Sequence, residues 1–238
     1  MLAPPWWALL LACLLAFTVT HAVLLGVACW AGVAEAPRLR AWREGAGFVL
    51  AEAVLLASAL RFEVVRLAPF ALGPTLVVLA VGFAWWELWF YAGHRLLHTR
   101  AFWRFHAVHH GLGGLHPSLR FSAAETLLLS SGFYVPLSLA SHAFAAVSWP
   151  TLAMVFAGAY ALNVASHAHP ASRFASSLSR RHSLHHAGAR GHFGLVTPAC
   201  DWLFGTHSPE GALAAAEAQP PGRARVRGSA GATTPSAA

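Results

Sequence analysis

Histidine is the residue type whose spacing in this sequence is suited to chemistry. Eight of the 15 histidines fall in three short motifs: His94 and His98 in HRLLH, His106, His109 and His110 in HAVHH, and His182, His185 and His186 in HSLHH. Residues three and four positions apart lie on one face of a helix, so each motif predicts a helix that presents converging imidazoles. A lone histidine would be interpreted as structural, whereas three clusters together indicate metal binding.

The number of imidazoles bears on the number of metal ions. Imidazole nitrogens bind iron, copper, zinc and nickel, so the motifs alone leave the metal open. One ion accepts about four to six ligands, and eight or more imidazoles exceed what one ion can bind. The sequence therefore predicts two metal ions.

Long apolar runs surround the histidine motifs. The chain has 238 residues, of which 57% are hydrophobic and only 11% charged, and this composition predicts an integral-membrane protein. Four apolar runs are near the length that spans a bilayer, at residues 6–30, 67–93, 126–147 and 149–166, and a weaker fifth run covers 46–60. We expect the first run to remain in the mature protein, because it lacks the charged start of a secretory signal.

These runs predict the fold class and its organisation. The expected fold is an all-α, integral-membrane helical bundle of four or five spans with a cytoplasmic, histidine-rich helical cap. The predicted units are membrane helices at 1–93, a first histidine segment at 94–120, a membrane hairpin at 121–166, a second histidine segment at 167–210 and a disordered tail at 211–238.

The arginines predict which side of the membrane carries the cap. Arg38, Arg40 and Arg43 follow the first run, and most other arginines lie beyond residue 94, so the positive-inside rule places these segments in the cytoplasm. Arg61 and Arg66 run against this rule, because they fall in a segment expected on the opposite side of the membrane. The net charge of +7 does not indicate nucleic acid, because the arginines are scattered beside apolar runs and form no basic stripe.

Around its histidine motifs the chain resembles the fatty acid hydroxylase and sterol desaturase superfamily, whose pattern is HxxxH, HxxHH and a later HxxHH. The resemblance covers roughly residues 87–207, including ELWFYAGHRLLHTRAFWRFHAVHH and HFGLVTPACDWLFGTH. It implies a membrane-bound oxidoreductase in which two non-haem iron ions and O2 oxidise a C–H bond of a lipid from the bilayer. The sequence offers no flavin, haem or NAD motif, so we expect a separate electron-donor protein.

One departure from the family pattern concerns the fourth ligand group. NVASH places Asn163 and His167 where hydroxylases often carry HxxxH, and it resembles the integral-membrane acyl desaturases, in which the Asn acts through a water. The resemblance implies that His167 is a direct ligand and Asn163 an outer one. Hydroxylation and desaturation both stay open, as do a fatty acyl, sterol or carotenoid substrate. The expected metal set is His94, His98, His106, His109, His110, Asn163, His167, His182, His185 and His186.

Three further residues are candidates for supporting the ligands. Glu87 lies seven positions before His94 on the same helical face and either orients a ligand or bonds a neighbouring helix. Asp201 is expected to accept an imidazole N–H or to cap a short helix. His192, in GHFG, is a candidate supporting residue only.

The remaining polar residues are interpreted as structural. Glu52 and Glu125 are expected to be polar residues of the bundle, and His21 and His142 to have structural roles within apolar runs. His116, His169 and His207 fit no ligand spacing and are interpreted as interfacial.

Two other classes of function compete with an oxygenase. The first is a membrane metal-binding or metal-transport protein, but transporters place their ligands near the middle of the bilayer, whereas these motifs follow the ends of apolar runs. A zinc hydrolase would need an HExxH-type glutamate as general base, and the sequence has none.

Overall fold

All regular secondary structure is helical in the part of the chain described by a computed structural model, which covers residues 5–30, 39–110, 121–144, 146–167, 176–188 and 191–207. No strand occurs in these ranges, which confirms the all-α class. The predicted disordered tail and the positions of His116 and His169 lie outside them. The helices are α1 (Trp6–Trp30), α2 (Leu39–Arg61), α3 (Leu72–Leu97), α4 (Trp103–His106), α5 (Ala123–Phe144), α6 (Trp149–Ser166), α7 (Ser177–Gly188) and α8 (Ala199–Leu203).

Three helices are long and apolar enough to cross a membrane. The qualifying segments, within the described residues, are Trp6–Leu24 of α1, Leu72–Leu97 of α3 and Ala123–Phe144 of α5. Large apolar side chains such as Leu11, Leu76 and Leu139 are exposed on them, as lipid-facing residues are. Helix α2 begins with charged residues, and α6 has only 18 residues, one of them Asn163. The expected count of four or five spans is therefore not confirmed.

The long helices run alternately between two ends of the bundle. Helix α2 packs against α1 and α5, α3 packs against α5, and α6 contacts α1 and α3. At one end, the Ala68 N–H donates to the Val147 carbonyl at 2.7 Å and the His142 ring donates to the Glu63 carbonyl at 2.9 Å. At the other end lie the last turns of α3 and α6 and the first turn of α5. The histidine motifs lie at this second end, which we call the cap.

Helices α3 and α5 approach closely because a proline and a glycine lie one turn apart on α5. Pro136 has no N–H, so the Gly132 carbonyl loses its usual helical donor, and the Trp85 indole N–H donates to it at 3.0 Å. A Cβ on Gly132 would lie 2.1 Å from the Trp89 ring. The Trp89 indole donates to the Leu128 carbonyl at 3.0 Å. These contacts place the end of α3, which carries His94, beside the start of α5.

Candidate metal centre

Nine histidines converge at the cap in two groups. We call them site A and site B, and within each group the candidate ligand atoms all lie within 4.8 Å of one another. Site A comprises His94, His98, His106, His110 and His185, and site B comprises His109, His167, His182 and His186. The structure thus brings together all eight motif histidines and His167.

Each HxxHH motif divides its histidines between the two sites. In HAVHH, His106 and His110 belong to site A and His109 to site B, while in HSLHH the division is reversed. The first and last residues of each motif are four positions apart and project from one face, whereas the middle histidine is rotated away from them. Because both motifs contribute to both sites, the sites adjoin, and the rings of His110 and His186 have centroids 4.4 Å apart.

The spacing between imidazole nitrogens suits metal coordination. In site A, the Nε2 atoms of His94, His110 and His185 have an Nε2 neighbour at 3.1 Å, and that of His98 has one at 3.0 Å. In site B, the Nε2–Nε2 distances from His182 are 2.9 Å to His167 and 3.0 Å to His186. Nitrogens about 2.1 Å from one ion and at right angles to each other are about 3 Å apart.

Hydrogen bonds on the opposite ring nitrogens fix the tautomers. The Nδ1–H of His94 donates to the Phe193 carbonyl at 2.9 Å, and that of His185 donates to the Gly191 carbonyl at 2.8 Å. His106 donates its Nδ1–H to Glu125 Oε1 at 2.8 Å. Each of these rings therefore presents an Nε2 lone pair to site A. Lone pairs of His94 and His106 that are 3.1 Å apart repel each other, and a bound cation between them removes this repulsion.

Burial keeps the cap histidines neutral. It lowers the pKa of His98 to about 4, of His106 to about 3 and of His110 to about 2. Burial, reinforced by neighbouring imidazoles, also lowers the pKa values of His109, His182, His185 and His186 well below the usual range. At pH 7 these rings carry free lone pairs, the form that binds metal.

Glu125 is the site residue that the sequence interpretation misses. Its carboxyl group is fully buried in the first turn of α5 and bonds the His106 ring, so it is more than a polar bundle residue. The Ser122 hydroxyl accepts from the Glu125 backbone N–H at 3.1 Å and fixes this turn. The available signal was an acidic residue at the start of the apolar run that follows the first two histidine motifs.

Glu87 and Asp201 bind the backbone of residues 191–207, which we call the closing segment, rather than an imidazole. Glu87 accepts from the Thr197 backbone N–H at 2.8 Å and from its hydroxyl at 2.6 Å. Asp201 accepts from the backbone N–H groups of Phe193 at 2.8 Å and Gly194 at 2.9 Å. The same Phe193 offers its carbonyl to His94, so both acids support a ligand through the segment they hold.

The other predicted residues lie outside the two groups. His192 is buried against the His207 ring, with centroids 5.0 Å apart. His21 bonds the Tyr160 hydroxyl at 2.7 Å, in line with a structural role. Asn163 lies one helical turn before His167, and its backbone carbonyl accepts from the His167 Nδ1–H at 2.8 Å. Its expected action as an outer ligand stays a prediction.

Two apolar cavities lie between the long helices. The first, of about 80 Å³, is next to the sites, and we call it the site cavity: its walls include Asn163, Phe90, which packs on His94, and Phe121, which stacks on His109. The second, the mid-bundle cavity, has a volume of about 210 Å³. Both are lined by Trp86 and Phe133, whose rings stack with centroids 5.3 Å apart. An apolar ligand in the site cavity would thus be separated from the histidines by the rings of Phe90 and Phe121.

A comparison with known protein families gives a match. The model of the fatty acid hydroxylase family matches residues 79–206, a range that includes every member of sites A and B. Neither the curated proteins nor the solved structures gave a match to this chain.

Proposed function

Because the chain belongs to the fatty acid hydroxylase family, we propose that it is a membrane-bound, O2-dependent hydroxylase that uses two iron ions to oxidise a C–H bond of a lipid. The observation that carries this proposal is the pair of adjoining imidazole groups next to an apolar cavity, whose wall residues Phe90 and Phe121 contact His94 and His109. One ion cannot bind nine imidazoles, whereas two ions, one in each group, would use all nine.

The residues of sites A and B would hold one iron each. Site A offers five imidazoles, and site B offers four together with Asn163 as an outer ligand. When bound, such an iron pair supplies the activation of O2 and an oxidant strong enough for an unactivated C–H bond. The chain orients the ligands through the Phe193 and Gly191 carbonyls and Glu125, and it excludes water with the aromatic rings of Phe90 and Phe121.

Desaturation of a lipid on the same centre is the second candidate. The feature that favours it is the pair Asn163 and His167 in place of two histidines, because this pair resembles the acyl desaturases. A metal transporter fits less well, since the imidazoles lie at one end of the bundle and His94, His106, His182 and His185 are almost completely buried.

We place five helices in the bilayer with the cap on the cytoplasmic face. This topology is supported by the alternating directions of α1, α2, α3, α5 and α6. Residues 94–110, 176–188 and 191–207 of the cap contain five arginines, and the acids among the described cap residues, Glu125 and Asp201, are both buried. At the opposite end, Arg66 pairs with Glu63 at 2.9 Å, which reduces the positive charge there.

The test is iron content together with lipid oxidation. We expect purified wild-type protein to hold roughly two irons per chain and to oxidise lipid in reconstituted membranes when electrons are supplied. His106→Ala and His185→Ala should lose at least one iron and abolish turnover, because each removes a site A imidazole. His142→Ala is the control, since this exposed histidine lies at the other end of the bundle.

Mass spectrometry of the products separates the candidates. A gain of one oxygen supports the hydroxylase, and a loss of two hydrogens supports the desaturase. Full turnover by either site A variant, or tight binding of a metal other than iron without any lipid oxidation, would contradict the proposal.

A further inference from the structure

Glu52 is a buried acid that the metal sites do not use. It lies on α2 with 3% of its surface exposed, and its Oε1 accepts a hydrogen bond from the Ser130 hydroxyl of α5. Its second oxygen, Oε2, has no hydrogen-bond partner among the described residues. An unsatisfied buried carboxyl oxygen costs free energy, so such a group is expected where a ligand completes its hydrogen bonding.

Glu52 and Ser130 both line the site cavity. Ser130 follows Glu125 by five residues on α5, so it lies about 7.5 Å farther along the helix axis than the residue that bonds His106. The aromatic rings of Phe48 and Phe121, with centroids 5.8 Å apart, connect the region of Glu52 to His109. A lipid whose polar group lies at Glu52 would therefore have the rings of Phe48 and Phe121 between that group and His109.

The lining of the site cavity restricts the polar group that it can accept. Among the described residues that line it there is no Arg or Lys, and Glu52 is the only carboxyl group. A carboxylate or phosphate would find no opposite charge there and would lie beside an acid. A hydroxyl can both donate and accept, so it complements the free oxygen of Glu52 in either protonation state.

From these observations we propose that the site cavity binds a lipid alcohol, whose hydroxyl group bonds Glu52, and that Glu52 determines substrate specificity. The proposal rests on the proposed function, because it takes the occupant of the cavity to be the oxidised lipid. The apolar lining of the site cavity, which includes Phe17, Trp86 and Phe156, suits the carbons next to that hydroxyl group.

If Glu52 only linked α2 to α5, its removal would affect the packing of the bundle and not the recognition of a ligand. A second buried polar pair provides the comparison. Thr75 of α3 and Thr151 of α6 are buried and bond each other at 2.9 Å, and Thr151 also bonds Ser148 at 2.8 Å. Neither threonine lines either cavity. Removing this pair should affect the packing of the bundle without affecting the recognition of a ligand.

The experiment measures binding of three probes to full-length, iron-loaded protein without O2, so that no turnover occurs. Radiolabelled 1-octadecanol, its methyl ether and octadecanoic acid differ only at the polar end. We expect wild type to bind the alcohol about tenfold more tightly than either of the others, a difference typical of one buried hydrogen bond. Glu52→Leu and Ser130→Ala should reduce this preference towards unity, while Thr75→Val should retain it.

The outcomes separate this inference from the proposed function. Equal binding of the three probes to wild type, or a full preference for the alcohol in Glu52→Leu, would overturn the role of Glu52. If Glu52→Leu does not fold, Ser130→Ala and wild type still decide the question. Absence of iron or of lipid oxidation in wild type would instead refute the proposed function and leave the probe preference as a separate binding result.

Discussion

At the scale of single residues, the metal centre depends on what lies behind each imidazole. A neutral imidazole is a defined ligand only when its other nitrogen carries the proton, and in site A carbonyls and a carboxylate impose this state. In site B, the Nδ1 atoms of His109 and His182 have no hydrogen-bond partner among the described residues. The rings of His109 and His182 are therefore positioned more by packing, for example by the stacking of His109 on Phe121, whereas His167 is held by the Asn163 carbonyl.

Glu125 should tune the affinity of site A. We expect Glu125→Gln to weaken iron retention at this site by about 10–100-fold, because the neutral amide makes His106 a poorer electron donor. Retention is measured by iron content after dialysis against graded concentrations of a chelator. Glu63→Gln is the matched control, since Glu63 is exposed and pairs with Arg66 at the other end of the bundle. Unchanged retention in Glu125→Gln would show that His106 does not need its carboxylate partner.

The spacing in the sequence identified the motif imidazoles but not how they are divided between sites A and B. The i, i+4 and i, i+3 relations within HAVHH and HSLHH follow from helix geometry alone. Their division into two sites depends on how two helices distant in sequence face each other, and no local pattern contains that information. The role of Glu125 was missed for the same reason, since its partner His106 lies 19 residues earlier, in another helix.

At the scale of elements, the closing segment connects α3 and α7 to the metal centre. Glu87 of α3 binds its backbone, and Arg181 of α7 donates to the Val196 carbonyl at 2.6 Å. The sequence left open whether Glu87 and Asp201 bond an imidazole or another part of the chain, and among the described residues both acids bind backbone N–H groups. The lengths of the apolar runs also predicted the long helices, although α2 and α6 are not among the three helices that are long and apolar enough to cross a membrane.

Gly194 should be essential to the conformation of the closing segment. A Cβ at this position would lie 2.7 Å from the Thr197 carbonyl oxygen and 2.9 Å from Asp201 Oδ2, so Gly194→Ala must displace the carboxylate that holds Phe193. We expect a loss of about 1–3 kcal/mol in the free energy of unfolding, together with reduced iron at site A.

Denaturation in detergent and iron analysis of the purified protein measure these two effects. Gly47→Ala is the control, because a Cβ on Gly47 meets nothing within 4 Å. If Gly194→Ala retained both its stability and its iron, the closing segment would not be a rigid support for His94.

At the scale of the whole molecule, site A lies close to a basic surface. Trp103 is 37% exposed, and its ring centroid is 5.2 Å from that of His98 and 5.3 Å from that of His110. Arg100 and Arg104 are exposed on either side of it in sequence. The sequence predicts a separate electron-donor protein, and an acidic one-electron carrier would be attracted to this surface.

Reversal of charge on this surface should therefore slow reduction more than it changes iron binding. We expect the double variant Arg100→Glu, Arg104→Glu to be reduced about tenfold more slowly by an acidic ferredoxin at low salt, with iron content unchanged, because neither side chain belongs to a site. Stopped-flow measurements at increasing salt should show that the wild-type rate falls towards that of the variant, since salt screens the attraction. Arg61→Glu, at the opposite end of the bundle, makes the same charge change on one residue and should leave the rate unchanged. A wild-type rate that does not depend on salt would place the entry of electrons elsewhere on the cap.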